Sequence, residues 1–289
     1  MSDTDALHRF LFDGTDVRGE LVHLDASWRA VLSRHSYPDT VRNPLGEAVA
    51  ATALLTGTLK FDGALILQVQ GEGPLRTLVA QATHARTIRG LARWEGEVPT
   101  GGNEAVFGPG RLVLTLEPEE GERYQGIVPL LGANLAEALE TYFRTSEQLG
   151  TRLWLAAGEQ RAAGLLLQRL PGEVRTEEDW NRIVTLADTI TPDELLGLPT
   201  ETLLHRLFHE ERLRLYEGEP VASRCTCSRE RIEDTLRALG ESEMEEALAA
   251  QGEVEVSCEF CNRVYRWDLV DARRIFTAAT RHEAPAARH

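Results

Sequence analysis

Four residues in this sequence of 289 have the type and spacing of metal ligands. They are its only cysteines, and they form two close pairs, Cys225-Thr226-Cys227 and Cys258-Glu259-Phe260-Cys261, with thirty residues between the pairs. Structural zinc prefers four soft ligands in a tetrahedron, and two close pairs joined by a longer loop can supply them. We predict that Cys225, Cys227, Cys258 and Cys261 bind one Zn²⁺ per chain in the reduced state.

Other uses of the cysteines are two permanent disulfides, four unconnected thiols, or a thioredoxin-like role for Cys258 and Cys261. Permanent disulfides are disfavoured in a cytosolic chain. A thioredoxin-like motif needs a strand that leads into a helix, whereas Val254 and Val256 before the pair and Val264, Tyr265 and Trp267 after it predict a short hairpin. His205 and His209 have the spacing of a helical metal pair, but no glutamate follows His205, so we predict ordinary helix-surface residues.

The segment between the cysteine pairs has the pattern of two helices. Ser228 is typical of an N-cap, and Gly240 is typical of a helix end. Ser242 and Glu245 have the spacing of a capping box that would begin the second helix.

Composition narrows the class of partner. The formal net charge of −15 opposes binding to nucleic acid and to anionic lipid. Lys60 is the only lysine and follows Leu59, so no nucleotide-binding loop of the Gly-Lys-Ser/Thr type is possible, and no Gly-x-Gly-x-x-Gly occurs. No apolar run reaches the roughly 18 residues of a membrane span. The polar, acidic amino end is unlike a secretory signal. We therefore expect a cytoplasmic protein that has neither of these nucleotide-binding loops and that binds neither nucleic acid nor a membrane.

Three regions follow one another along the chain. Residues 1–175 predict an α+β domain with antiparallel sheet. Helices would begin at Asn43-Pro44 and at Asn134, and the predicted strands cover 64–70, 75–81, 111–117, 123–128, 151–157 and 162–170. Residues 176–222 include eleven acidic and four basic side chains. Their pattern predicts a helical linker whose helices start at Thr176 and Thr191. Residues 223–289 would form a small zinc-binding domain.

The arrangement Cys-x-Cys, about thirty residues, Cys-x-x-Cys resembles the carboxyl end of a known family, the redox-regulated 33-kDa heat-shock chaperonins. Further similarity lies in Asn43-Pro44-Leu45-Gly46-Glu47-Ala48 and in Tyr142-Phe143-Arg144-Thr145-Ser146-Glu147-Gln148. The order of the regions and the total length also agree. The resemblance therefore extends over nearly the whole chain.

The resemblance implies a holdase chaperone rather than an enzyme. In the reduced state it would bind zinc and be a poor chaperone. Oxidants would form the disulfides Cys225–Cys227 and Cys258–Cys261 and release the zinc. The C-terminal domain and the linker would then lose structure, which would expose apolar surface that binds unfolded client proteins without ATP. Residues 1–175 would be the client-binding and dimerisation domain, and the active form would be a homodimer.

Spacing supports a role for the metal in folding. Zinc on four thiolates is worth about 10–16 kcal/mol, comparable with the stability of a whole domain. A disulfide within either pair closes a loop of a few residues and would stabilise by roughly 2 kcal/mol at most. Neither bond would join the first pair to the second, so we expect such oxidation to unfold the domain.

Two other functions are consistent with a zinc site. A zinc ribbon that binds nucleic acid should be basic, whereas acidic residues outnumber arginines in 223–289. An enzyme in residues 1–175 with a structural zinc elsewhere should show an acid–base pair or a nucleophile, and none stands out by spacing. We therefore predict no catalytic residues.

Overall fold

The computed structural model describes residues 4–58, 62–171 and 177–282, with side chains to residue 276. The chain divides into two compact units, Met1–Arg224 and Cys225–His289. Antiparallel strands and helices occur in both units, which confirms the predicted α+β class. In the described part of the chain, no helix has the length and apolar character needed to cross a membrane.

The strands of the first unit are β1 (Ala6–Phe12), β2 (Val17–Leu24), β3 (Gly63–Gly71), β4 (Leu75–Thr83), β5 (Thr87–Trp94), β6 (Gly110–Pro118), β7 (Tyr124–Pro129), β8 (Thr151–Ala157), β9 (Ala162–Arg169), β10 (Leu213–Leu215), β11 (Glu219–Pro220) and β12 (Ala222–Ser223). Its helices are α1 (Ala26–Leu32), α2 (Asp39–Thr58), α3 (Asn103–Phe107), α4 (Leu135–Tyr142), α5 (Glu177–Ala187), α6 (Pro192–Gly197) and α7 (Thr200–Phe208). A π-helical turn, Phe143–Glu147, follows α4.

These strands form two sheets. The first, called sheet A, has the order β10-β1-β2-β9-β8, and β11 also pairs with β1. The second, called sheet B, has the order β12-β5-β4-β3-β6-β7. All pairings are antiparallel except the one between β12 and β5.

Helix α2 contacts both sheets. It packs on β4 and β5 of sheet B and on β8 and β9 of sheet A. A helix enclosed in this way must be apolar on most sides, and α2 accordingly has buried residues at nearly every position from Leu45 to Gly57. With the inner faces of both sheets, it forms the largest apolar cluster of the molecule.

Sheet A is covered on its other face by α5, α6 and α7. Ile183, Leu203 and Phe208 from these helices pack against Phe10 and Leu165 of the sheet. Strands buried on both faces read as continuous apolar runs, and β9 is buried along all but its last residue. The helical segment that the sequence predicts as a linker is therefore an outer layer over an apolar sheet face.

The predicted strands agree with β3, β4, β6, β7, β8 and β9 to within two residues at each end. Strands β1, β2, β5 and β10–β12 were not predicted. The predicted start of α2 is wrong, because the helix begins at Asp39 and Pro44 lies inside it. The helix begins earlier because the carbonyl of Pro38 accepts hydrogen bonds from the N–H groups of Val41 and Arg42.

Thr176, the predicted start of a linker helix and of the linker itself, lies outside the described residues, and α5 is described from Glu177. Thr191 does cap α6, in a complete capping box with Glu194. The structure groups residues up to Arg224 in one unit. The division into a client-binding domain, a linker and a switch domain concerns function and remains a prediction.

The second unit contains α8 (Arg229–Leu239), α9 (Glu241–Gln251), β13 (Val254–Ser257), β14 (Val264–Trp267) and α10 (Leu269–His282). Ser228 caps α8 and Gly240 ends it, as predicted. The predicted capping box at Ser242 is wrong, because α9 begins at Glu241 directly after Gly240. The predicted hairpin is present as the antiparallel pair β13–β14.

Candidate metal centre

The four cysteines come from two places in the second unit. Cys225 and Cys227 lie in the extended segment just before α8, and Cys258 and Cys261 lie in the turn between β13 and β14. The side-chain oxygen of Ser228 accepts a hydrogen bond from the N–H of Arg231, which makes Ser228, the residue after Cys227, the N-cap of α8. A helix start and a hairpin turn thus hold the two pairs.

The structure brings all four thiols together. Their Sγ atoms lie within 4.8 Å of one another. The distance between the Sγ atoms of Cys225 and Cys258 is 3.6 Å, and that between Cys227 and Cys261 is 3.4 Å. Zinc–sulfur bonds of about 2.3 Å in a tetrahedron place sulfurs roughly 3.8 Å apart. The four thiols therefore fit a tetrahedral zinc ion, and none of them is in a disulfide.

The hairpin turn directs backbone N–H groups at its sulfurs. The N–H groups of Phe260 and Cys261 contact the Cys258 thiol, and the N–H of Arg263 contacts the Cys261 thiol. Asn262 has a φ of +55°, a left-handed conformation that asparagine tolerates better than most residues. Backbone donors of this kind stabilise negative charge on sulfur, as a thiolate ligand requires.

The thiols affect one another's ionisation. Burial opposes ionisation of Cys225, but hydrogen bonds from the N–H of Cys227 and from the neighbouring thiols outweigh it and lower its pKa to about 7. Burial, followed by contact with the neighbouring thiols, raises the pKa of Cys258 and brings that of Cys261 to about 12. Without a cation, negative charge on one sulfur thus disfavours it on its neighbours.

Tyr265 belongs to the site, although the sequence marked it only as part of a strand. Its hydroxyl donates a hydrogen bond of 3.2 Å to the Sγ of Cys227. Tyr265 lies opposite Val256 in the hairpin. The available signal was its place as the second residue of β14, close to the turn, but a side-chain contact with the other cysteine pair cannot be read from one strand.

A small apolar core lies beside the cysteines. Trp267 is fully buried among Leu236, Met244, Leu248 and Ile275. Its indole N–H donates to the carboxylate of Glu233, and the guanidinium of Arg229 lies 4.8 Å from its ring. A core of this size supplies little stability alone.

His205 and His209 do not join a metal cluster. Both side chains are exposed at the end of α7, with ring centroids 5.9 Å apart. Among the described residues, the four cysteines are the only group of three or more histidine, cysteine or acidic side chains close enough to bind a metal ion.

The chain is similar to proteins of known family over its full length. Residues 5–268 match the family model described as Hsp33 protein. A "33 kDa chaperonin" of Nitrosococcus oceani is 58% identical over 289 residues and covers 100% of both chains. One of Ectopseudomonas mendocina is 49% identical over 99% of each chain. The crystal structure of the 33 kDa chaperonin of Thermotoga maritima has the same fold, with a TM-score of 0.82 at 24% identity over 96% of this chain and 99% of that one.

Proposed function

This chain belongs to the Hsp33 family, and from that premise and the four-thiol cluster we propose that it is a redox-regulated, ATP-independent holdase chaperone of the cytoplasm. It would bind unfolding proteins under oxidative stress and catalyse no reaction. The observation that carries the proposal is the convergence of all four thiols to within 4.8 Å. The names of the relatives, 33 kDa chaperonin, support the chaperone part.

Cys225, Cys227, Cys258 and Cys261 would hold one zinc ion in the reduced protein. Bound zinc keeps the thiols deprotonated, the form that reacts with oxidants. Because the unit's own core is small, the metal would contribute most of its stability.

Oxidation would change the thiolates as follows. We propose that Cys225 joins Cys227 and that Cys258 joins Cys261, and each new S–S bond releases two electrons. An oxidant such as hypochlorous acid accepts the two electrons and one proton and leaves as chloride and water. Two equivalents oxidise all four thiolates and leave no ligand for a metal. Because each disulfide is local, neither replaces the connection between the helix start and the hairpin turn.

A surface for clients would lie beneath the outer helical layer. Helices α5–α7 cover Phe10, Phe12 and Leu165 on the outer face of sheet A. Polar contacts add to this packing. A ring nitrogen of His23 contacts the carbonyl of Leu195 at 3.0 Å, and Arg161 donates to the carbonyl of Leu196. If the helices detach, an apolar sheet face becomes accessible, which is the surface that a holdase needs.

The layer is connected directly to the switch. After α7, the chain pairs with sheet A through β10 and β11 and with sheet B through β12. Cys225 then follows Arg224, whose N–H donates to the carbonyl of Ile88. We propose that unfolding of the second unit spreads through these short strands into α7, with dimerisation following exposure of the apolar face.

The test measures zinc, thiols and chaperone activity on one sample before and after hypochlorite treatment, without ATP. We expect one zinc per chain to be lost as the four thiols disappear, and suppression of aggregation of a heat-unfolded enzyme to appear only afterwards. Zinc that survives oxidation, or zinc loss without a gain in holding activity, would contradict the proposal. A reduced, zinc-loaded control chain should remain inactive at the same temperature.

A further inference from the structure

A carboxylate without a partner lies between two clefts of the first unit. Glu47 of α2 borders a cleft of about 270 Å³, beside Asn43, Asn103 and Asn134, and a second of about 180 Å³, beside Trp154 and Thr191. Within the described part of the chain, its carboxylate makes no hydrogen bond or ion pair, although burial is deep enough to raise its pKa to about 7. Such groups normally have partners.

Two other carboxylates of this unit that are largely enclosed are paired with arginines. Asp25 lies 2.7 Å from Arg161, and Glu219 lies 2.6 Å from Arg86. The one arginine of α2, Arg42, lies 3.0 Å from Asp39 and also donates to the side-chain oxygen of Asn43. Glu47 thus differs from Asp25 and Glu219 in lacking a cation, while a cleft opens beside it.

We propose that this cleft binds a guanidinium or ammonium group, which forms an ion pair with Glu47. Leu135, Val106, Phe107 and Pro99 give the larger cleft apolar walls that would pack against the methylene groups of an arginine or lysine side chain. The group could come from a polypeptide or from a small organic cation, and the experiment distinguishes these sources.

The binding would be linked to protons. Asp39 and Glu47 are the only ionisable residues that line either cleft among the residues that the structure describes. Since Asp39 already pairs with Arg42, Glu47 is the group that changes charge near neutral pH. A bound cation favours its ionised form. Binding should therefore release a proton and strengthen as the pH rises through about 7.

The experiment uses the full reduced chain and two pairs of probes. N-acetyl-arginine amide is compared with N-acetyl-citrulline amide, its uncharged analogue, by NMR titration of the amides around residues 43–47 and 99–103. An extended peptide with one arginine is compared with the same peptide carrying citrulline. We expect the arginine probes to bind the wild type. In E47Q their affinity should fall about tenfold or more, because an ion pair with hydrogen bonds is lost.

Controls separate this effect from a change in fold. Glu104→Gln removes the same charge from an exposed residue of α3 and should leave binding unchanged. E47Q should unfold at an equal or higher temperature, since it removes a half-buried carboxylate that no cation neutralises. A peptide that binds about tenfold more tightly than the amide would assign the cleft to polypeptides, and equal affinities would assign it to small cations. The proposal is overturned if arginine probes do not bind, if citrulline binds equally, or if E47Q binds as the wild type does.

Discussion

Cys227 and Cys261 are 34 positions apart in the chain, yet their Sγ atoms lie 3.4 Å from each other. Cys225 and Cys258, which are 33 positions apart, show the same relationship at 3.6 Å. These contacts join the segment before α8 to the hairpin turn, whereas the resemblance implies disulfides within each close pair. The two patterns of oxidation would have opposite effects on stability.

Disulfide mapping distinguishes the two patterns. We expect hypochlorite to produce Cys225–Cys227 and Cys258–Cys261, with local loops worth roughly 2 kcal/mol each, and the second unit to unfold. Crossed bonds, Cys225–Cys258 and Cys227–Cys261, would close loops worth about 4 kcal/mol each and keep the unit folded. Proteolysis and mass spectrometry of oxidised chain identify the pairs, and amide NMR of the same sample reports the fold. Crossed pairs with a retained fold would contradict the proposed switch.

Removing the hydroxyl of Tyr265 should weaken the metal site without abolishing it. That hydroxyl donates to the Sγ of Cys227, and loss of such an outer contact commonly lowers metal affinity about 10- to 100-fold. We expect Y265F to bind one zinc per chain at roughly tenfold lower affinity, measured by competition with a zinc chelator. Y216F, at a tyrosine that is 43% exposed in the other unit, is the matched control. Equal affinities for Y265F and wild type would show that the bond does not support the site.

The cysteine cluster was the part of the molecule most accessible from sequence, since two close cysteine pairs and an alternating strand pattern are local signals. The contact from Tyr265 to Cys227 could not be predicted from the sequence, because it depends on how β14 faces the first cysteine pair. The strands β3, β4, β6, β8 and β9 were found for the same reason as the cysteine hairpin: each has a clear apolar pattern bounded by turn residues.

The missed elements depend on tertiary contacts. Strand β2 includes Glu20 and His23, which are buried although polar, so its pattern lacked a continuous apolar face. Strands β11 and β12 have two residues each and exist only because β1 and β5 offer edges for pairing. Similarly, Pro44 signals a helix start, but α2 continues through it because tertiary packing encloses the helix.

Trp267 should be needed for the second unit even with zinc present. The side chain is fully buried, and replacing such a tryptophan by alanine costs about 3–5 kcal/mol. Because folding and metal binding are linked, we expect W267A to show weaker zinc binding and reduced amide dispersion in residues 225–276. Val270→Ala, at a side chain that is 75% exposed in the same unit, should change neither. Unchanged zinc affinity in W267A would mean that the thiols alone organise the unit.

Phe208 should hold the outer helical layer on sheet A. Its ring centroid lies 4.9 Å from that of Phe12 and 6.3 Å from that of Phe10. Phe208→Ala should cost about 3–5 kcal/mol and increase amide hydrogen exchange in α5–α7, with holding activity appearing in the reduced, zinc-loaded chain.

The control for Phe208 is Phe107→Ala, which creates a cavity in the other apolar cluster without uncovering sheet A. It should destabilise by a similar amount and leave α5–α7 protected. If both variants gain the same holding activity, general destabilisation explains the gain and the layer has no special role.

Glu20 should make stability depend on pH. Its carboxylate is buried on β2, and Oε2 has no hydrogen-bond partner within the described residues. Burial raises its pKa to about 8, although Arg18, Arg86 and Arg9 favour the charged form. The unfolded chain loses this proton at the ordinary glutamate pKa of about 4.3. Between these two values the folded chain binds one proton more, so the free energy of unfolding falls with rising pH, by at most about 1.4 kcal/mol per pH unit.

E20Q cannot titrate and should lack this contribution. Urea unfolding of E20Q and wild type at several pH values between the two pKa values gives the difference between their free energies of unfolding. The contributions of other titrating groups cancel in this difference. As the pH rises, we expect the free energy of unfolding of E20Q to increase steadily relative to that of the wild type. For Glu104→Gln, at an exposed site, the difference from the wild type should stay constant. A difference between E20Q and wild type that does not vary with pH would mean that Glu20 keeps an ordinary pKa, with the three arginines compensating fully for its burial.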